Sequence, residues 1–138
     1  VTDEDGGTPL IQAAWKDASE CIALLLDKGA RLDAKNKWGR TAVHYGARHA
    51  NPRSLSLLLE RGSEVDVTDE DGGTPLIQAA WKDASECIAL LLDKGARLDA
   101  KNKWGRTAVH YGARHANPRS LSLLLERGSE VDVTDEDG

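Results

Sequence analysis

Residues 1–66 and 67–132 are the same sequence letter for letter, and the segment VTDEDG that opens both stands a third time from Val133. Inside each copy runs a weaker period of half its length, giving half-units 5–37, 38–70, 71–103 and 104–136 in the order A, B, A, B. A and B share a Gly at the second position, a Thr at the fourth, an LLL run, then a Gly and an Asp. Self-similarity at this period is the mark of a stacked array, in which one unit cannot bury its apolar face alone.

Each half-unit reads as turn, helix, turn, helix. In A, EDGGTP is turn chemistry. Thr8 stands where a hydroxyl caps a helix, with Pro9 as the first helical residue. LIQAAWK is then a short first helix. Asp17 or Ser19 is placed to cap the second helix, ECIALLLDK, which Gly29 ends in a left-handed conformation. B repeats the plan with Thr41, AVHYGARH, the Asn51-Pro52 cap, RSLSLLLER and Gly62. Thr74, Pro75, Gly95, Thr107 and Gly128 hold the same posts in the second copy. Such helices are too short to stand alone. Cys21, Ile22 and Leu24 to Leu26 cannot share one stripe, so the second helices need cover on several sides. The expectation is a solenoid occupying 1–138 as one array.

The segments DGGTPLIQAA…ECIALLLDKGARLDAKN and WGRTAVHYGA…SLSLLLERGSEVDVTD resemble ankyrin repeats across the whole chain, four times over. The resemblance implies an all-α, ankyrin-type solenoid of paired antiparallel helices with projecting β-hairpin loops. It also implies a concave face built from hairpin tips and first helices. Three positions depart from the family pattern. The family His is kept as His44 and His110 but is Ile11 and Ile77 in A; the inter-helix Gly is Asp17 and Ala50; the Glu kept as Glu20 is Arg53 in B. These are not consensus choices. A and B look like natural sequence that was then copied whole, in an engineered or excerpted array; a natural array of recent expansion is the alternative. The chain stops inside a hairpin with no capping repeat.

On the resemblance, the T-x-x-H pairs are structural: Thr41 caps the first helix while the His44 imidazole bonds back to the turn. His49 is expected to face solvent, with no third ligand spaced to make a zinc site. Cys21 lies on an apolar helix face, where a thiol is inert packing. Cys21 and Cys87 stand two layers apart, about 16–20 Å at ordinary helix spacing, too far for a disulfide. Two free thiols imply a reducing compartment, cytoplasmic or nuclear. No G-x-S-x-G, phosphate loop or H-E-x-x-H occurs, so no enzyme, cofactor or metal is expected. The net charge of −5 argues against a nucleic-acid binder. No apolar run reaches the roughly 20 residues of a membrane span.

The expected function is a scaffold that binds a protein or peptide on its concave face. Its candidate contacts at the tips are Lys35, Lys37, Trp38 and Arg40, repeated as Lys101, Lys103, Trp104 and Arg106. On the first helices they are Trp15, Lys16, Arg48 and His49, repeated as Trp81, Lys82, Arg114 and His115. Exposed Trp and Arg are the residue types most enriched at binding hot spots. Packing against the neighbouring repeat is the other reading of the tryptophans, and both stay open. The column Trp15, Arg48, Trp81, Arg114 places Arg48 over a Trp face. The tips alternate between acidic EVDVTDED and mainly basic RLDAKNKWGR. The second functional reading is a self-associating array, since neither end carries a polar repeat and both keep the internal apolar residues. Such a contact does not close on itself.

Overall fold

The computed structural model describes residues 7–115, 117–128 and 134–135. Asp5 and Gly6 of the first turn, and most of the last acidic segment, lie outside the described residues. Within them the chain forms helices α1 (Pro9–Trp15), α2 (Ser19–Asp27), α3 (Ala42–Arg48), α4 (Pro52–Glu60), α5 (Pro75–Trp81), α6 (Ser85–Asp93), α7 (Ala108–Arg114) and α8 (Pro118–Glu126). The odd-numbered helices pack in series as one layer and the even-numbered ones as a second, each pair closing on itself and on the next. The architecture is all-α and solenoidal.

Local chemistry starts each first helix. Thr8 Oγ1 accepts the Ile11 amide at 3.2 Å with Pro9 at the first helical position, and Thr74 repeats this with Ile77. In B, Thr41 and His44 form a reciprocal capping box, and Thr107 and His110 form another. Gly29, Gly62, Gly95 and Gly128 follow the second helices at φ of +93°, +103°, +92° and +110°.

The second helices begin differently from expectation. Ala18 is the N-cap of α2 and no side chain caps it. Asp17, at φ +55°, instead reaches into the next repeat, where its Oδ1 accepts the Ser54 hydroxyl at 2.6 Å and the Ser54 amide at 3.3 Å. Asn51 likewise makes no side-chain cap on α4. Its Nδ2 donates to the Ala14 and Trp15 carbonyls at 2.9 and 3.2 Å, satisfying the open C-terminal end of α1. Asp83–Ser120 and Asn117–Ala80 repeat both devices. These residues stitch repeats together rather than ending their own helices. Ala50 adopts φ +55° as well, a conformation that costs an alanine about 1 kcal/mol or more.

The projecting loops are tight turns, and no strand is formed among the described residues. Asn36 N bonds Arg40 O at 3.0 Å and Asp69 N bonds Gly73 O at 3.0 Å, closing each turn. Neighbouring tips are then tied by Glu70 N to Trp38 O at 3.0 Å and Lys103 N to Asp71 O at 2.8 Å. This tie brings backbone against Gly39, whose φ is +74°; an added Cβ would lie 2.9 Å from Glu70 N. Gly39→Ala is therefore expected to lose about 1–3 kcal/mol, read as a lower urea midpoint.

Stacking decides burial. The A-type helices α2 and α6 are identical, yet Cys87 is 1% exposed while Cys21 is exposed, and Leu24 is 63% exposed while Leu90 packs on the central core. Cys21 thus departs from the packed thiol expected. Ile11 and Ile22, expected at an open end, are buried in a cluster with Ala42, Tyr45 and Leu58 of the next half-unit. Both cysteines are free. Burial pushes the Cys87 thiol up to about 12, so it is inert at neutral pH.

Candidate partner-binding face

The first-helix C-termini and the turn tips come together on one side of the stack. Trp15 ends α1, and its indole lies on Tyr45 of α3 and on His49, which caps that helix, with ring centroids 5.2 and 4.8 Å away and near-parallel planes. Trp81 lies in the same way on Tyr111 and His115, at 5.1 and 4.9 Å. Each indole has one face covered by the next repeat and is still about half exposed, at 49% and 48%. The two readings of these tryptophans therefore coexist. One face packs and the rest is open, and the stack fixes the ring's orientation before any partner arrives.

Arg48 does not lie on a tryptophan. The rings stacked on Trp15 are Tyr45 and His49, and the Arg48 guanidinium extends onward to Gln78 Oε1 at 3.0 Å. Partial burial, then the nearby Arg40, lowers its pKa. His49 is half-buried rather than solvent-facing, and its Nε2 has no hydrogen-bond partner among the described residues. Burial, then the nearby Arg48 and Lys82, lowers its pKa. Lys16, Lys82, Arg114 and His115 are exposed at the helix ends.

At the tips, Lys37 Nζ stands 4.6 Å from the Trp38 ring centroid and the Arg40 guanidinium 5.8 Å; Lys103 and Arg106 repeat this on Trp104 at 4.7 and 5.9 Å. Asn36 organises one tip. Its Oδ1 accepts the Trp38 and Arg40 amides, and its Nδ2 donates to Tyr45 Oη at 2.7 Å. Asp69 holds the same post in the next half-unit. Its carboxylate accepts the Asp71 amide at 3.0 Å, the Gly73 amide at 2.8 Å and Gln78 Nε2 at 3.1 Å, and pairs with Arg40 Nε at 3.4 Å. Arg106 pairs with Asp135 at 3.3 Å. Its hydrogen bond with Tyr111, then that with Asp135, raises the arginine's pKa.

A groove of about 410 Å³ runs between tips and helices. Trp81, Trp104, Tyr111 and His115 supply its aromatic walls; Arg40, Arg48, Arg106 and Arg114 its cations; Asp69 and Asp71 its acids. The groove gathers seven of the expected contact residues: Arg40, Arg48, Trp81, Trp104, Arg106, Arg114 and His115. Lys35 is not among them. It lines a separate depression with Leu32, Gly62 and Val67, and its Nζ donates to Thr68 O at 3.5 Å. Lys101 and Lys103 are exposed at their tip, where Lys103 pairs with Asp71 at 2.8 Å. Tyr45, Tyr111, Asp69 and Gln78 were missed from sequence. The column of equivalent positions in successive half-units is the one signal that could have found Asp69, since Asn36 and Asn102 stand above and below it.

The T-x-x-H histidine serves the framework. His44 is fully buried. Thr41 donates its amide to His44 Nδ1 at 3.0 Å, so the ring proton sits on Nε2 and is donated to Gly73 O of the next repeat at 3.1 Å. A threonine cap starts the first helix of each layer, and His44 ties the second layer to the third. The family model for ankyrin repeats, in three copies, matches residues 1–69 and again 47–135. The chain belongs to the ankyrin-repeat family. Ankyrin repeats are in general protein-interaction modules rather than enzymes, which implies a protein partner. No group of three or more metal-ligating side chains converges among the described residues, and no helix there is long and apolar enough to cross a membrane.

Proposed function

We propose that this ankyrin array binds a protein or peptide in the groove between turn tips and first helices. The observation that supports this most is the pair of fixed, part-exposed indoles, Trp81 and Trp104, set among Arg106, Arg114 and His115. A rigid aromatic loses little freedom when covered, and arginine beside it selects partners with carboxylates or carbonyls. The Trp15 stack repeats the Trp81 stack one full copy away. A partner with two matching segments therefore gains through effective concentration. The duplication itself supports an array made, or recently expanded, from a natural two-repeat unit.

Peptides selected for binding to the parent chain are expected to bind a Trp81→Ala/Trp104→Ala variant at least about tenfold more weakly, as for loss of a hot-spot pair. Titration calorimetry reads the difference. Unchanged affinity across the selected set would place binding on another surface. The second reading, association of chains through their ends, is supported by the exposure of Cys21 and Leu24, whose counterparts Cys87 and Leu90 are covered.

A further inference from the structure

Helices α3, α5 and α7 pack in series, so the position held by Arg48, Trp81 and Arg114 recurs once in each layer. All three side chains line the groove, as a column of cation, indole, cation. Arg48 spends one of its guanidinium donors, on the neutral amide oxygen of Gln78 at 3.0 Å. A guanidinium carries five such donors. Trp81 is 48% exposed, with one face seated on Tyr111 and His115. Arg114 is exposed.

The charges of the groove are unevenly matched. Its acids are engaged, Asp69 with Arg40 and Asp71 with Lys103. Arg106 is engaged with Asp135. Arg48 and Arg114 are the groove cations that hold no carboxylate among the described residues. In a chain of net charge −5, these two guanidinium groups are the counter-charge that the groove offers an acidic ligand. A guanidinium with open donors takes a carboxylate through two parallel hydrogen bonds. The fixed indole between them takes an apolar side chain.

Spacing selects the conformation of that ligand. Successive layers stand about 8–10 Å apart at ordinary helix packing. A β-strand alternates its side chains with a rise of about 3.3 Å, so a strand that meets both arginines turns its middle residue away from the indole. An α-helix returns a side chain to one side about every 5.4 Å, so alternate turns go unmet. A polyproline II chain has three residues per turn, each rising about 3.1 Å, so every third side chain faces the same way about 9 Å further on. Chains of this kind dock in aromatic-lined grooves.

We infer that the groove takes an acidic peptide in the polyproline II conformation, running along the stack with one carboxylate on Arg48, an apolar side chain on Trp81 and a second carboxylate on Arg114. These three contacts fall at every third residue of the peptide. The inference rests on the groove reading above and names its ligand.

The probe is a capped seven-residue peptide with glutamate first and last, leucine at the centre and proline elsewhere. Its control has the same composition, with leucine moved one position from the centre. By titration calorimetry the parent chain is expected to bind the probe at least about tenfold more tightly than the control, which loses the indole contact. Arg48→Gln and Arg114→Gln are then crossed with peptides that carry glutamine first or last in place of glutamate. Each substitution alone should weaken binding about tenfold. Each arginine should couple to one end of the peptide and not to the other, so that losing both members of a pair costs little more than losing one. Circular dichroism and urea midpoints equal to the parent's establish that the variants fold. Should Arg48→Gln shift its midpoint, the exposed Arg114 carries the coupling test by itself. Equal affinity for probe and control overturns the polyproline register. An arginine that couples to both ends alike overturns the fixed seating and leaves general attraction of charge. Binding of neither peptide overturns the acidic ligand; the groove reading is then decided separately, by the Trp81→Ala/Trp104→Ala variant and the selected peptides.

Discussion

Asp69→Ala is expected to lower the unfolding free energy by about 3–5 kcal/mol, the usual cost of removing one partner from a buried ion pair. The Asp69 side chain is 2% exposed. Its loss leaves Arg40 Nε, the Asp71 and Gly73 amides and Gln78 Nε2 without their acceptor. The damage falls where repeats two and three meet. Stability in a stacked array is a sum over units and their junctions, so a weakened central junction is felt by the whole. Asp69→Asn should cost far less. Asn36 and Asn102 fill the equivalent posts, and their amide oxygens accept two turn amides just as Asp69 does. Urea midpoints for the two variants decide the matter. Equal midpoints would mean that the carboxylate does not anchor the turn.

The second large effect is a loss of stability on mild acidification. Burial lowers the His44 pKa from 6.5 to about 4, against the opposing pull of the Gly73 hydrogen bond and Asp69. As pH falls below 6.5, the unfolded chain takes up a proton at this ring and the folded chain does not. Stability is therefore complete above pH 6.5 and falls progressively until the folded ring titrates near 4. Over that window the loss is about 3 kcal/mol from this one group. His44→Gln should show a correspondingly smaller difference in urea midpoint between pH 7 and pH 4.5. In the parent, NMR should show the His44 ring still neutral at pH 5.5. A ring titrating near 6.5 would mean that its burial does not govern it.

Such long-range pairings explain which parts of the structure were legible beforehand. The Thr-Pro starts and the helix-ending glycines are contacts within a few residues, and the spacing of residue types displays them; the T-x-x-H boxes are equally local, and the family resemblance pointed to them. Asp17 and Asn51 misled for the same reason. Each has the chemistry of a local cap, but each spends it in a neighbouring repeat, on Ser54 and on the end of α1. Nothing in a short window of sequence distinguishes the two uses. Arg48 misled because a column of equivalent positions states which residues are stacked, not which ring arrives first. Tyr45 and His49 occupy the face of Trp15, and Arg48 is carried past it to Gln78.

The sequence by itself determined the repeat period, the helical class, the order of the elements and the residue types offered at tips and first helices. These follow from periodicity and short-range backbone chemistry. Only the tertiary structure decided which copy of an identical residue is buried. Cys21 and Cys87, Gln12 and Gln78, and Ala47 and Ala113 differ in exposure with no difference in sequence around them. The physical reason is that each helix pair is covered by its neighbours and not by itself. Burial here belongs to a residue's place in the stack, and so does the open groove.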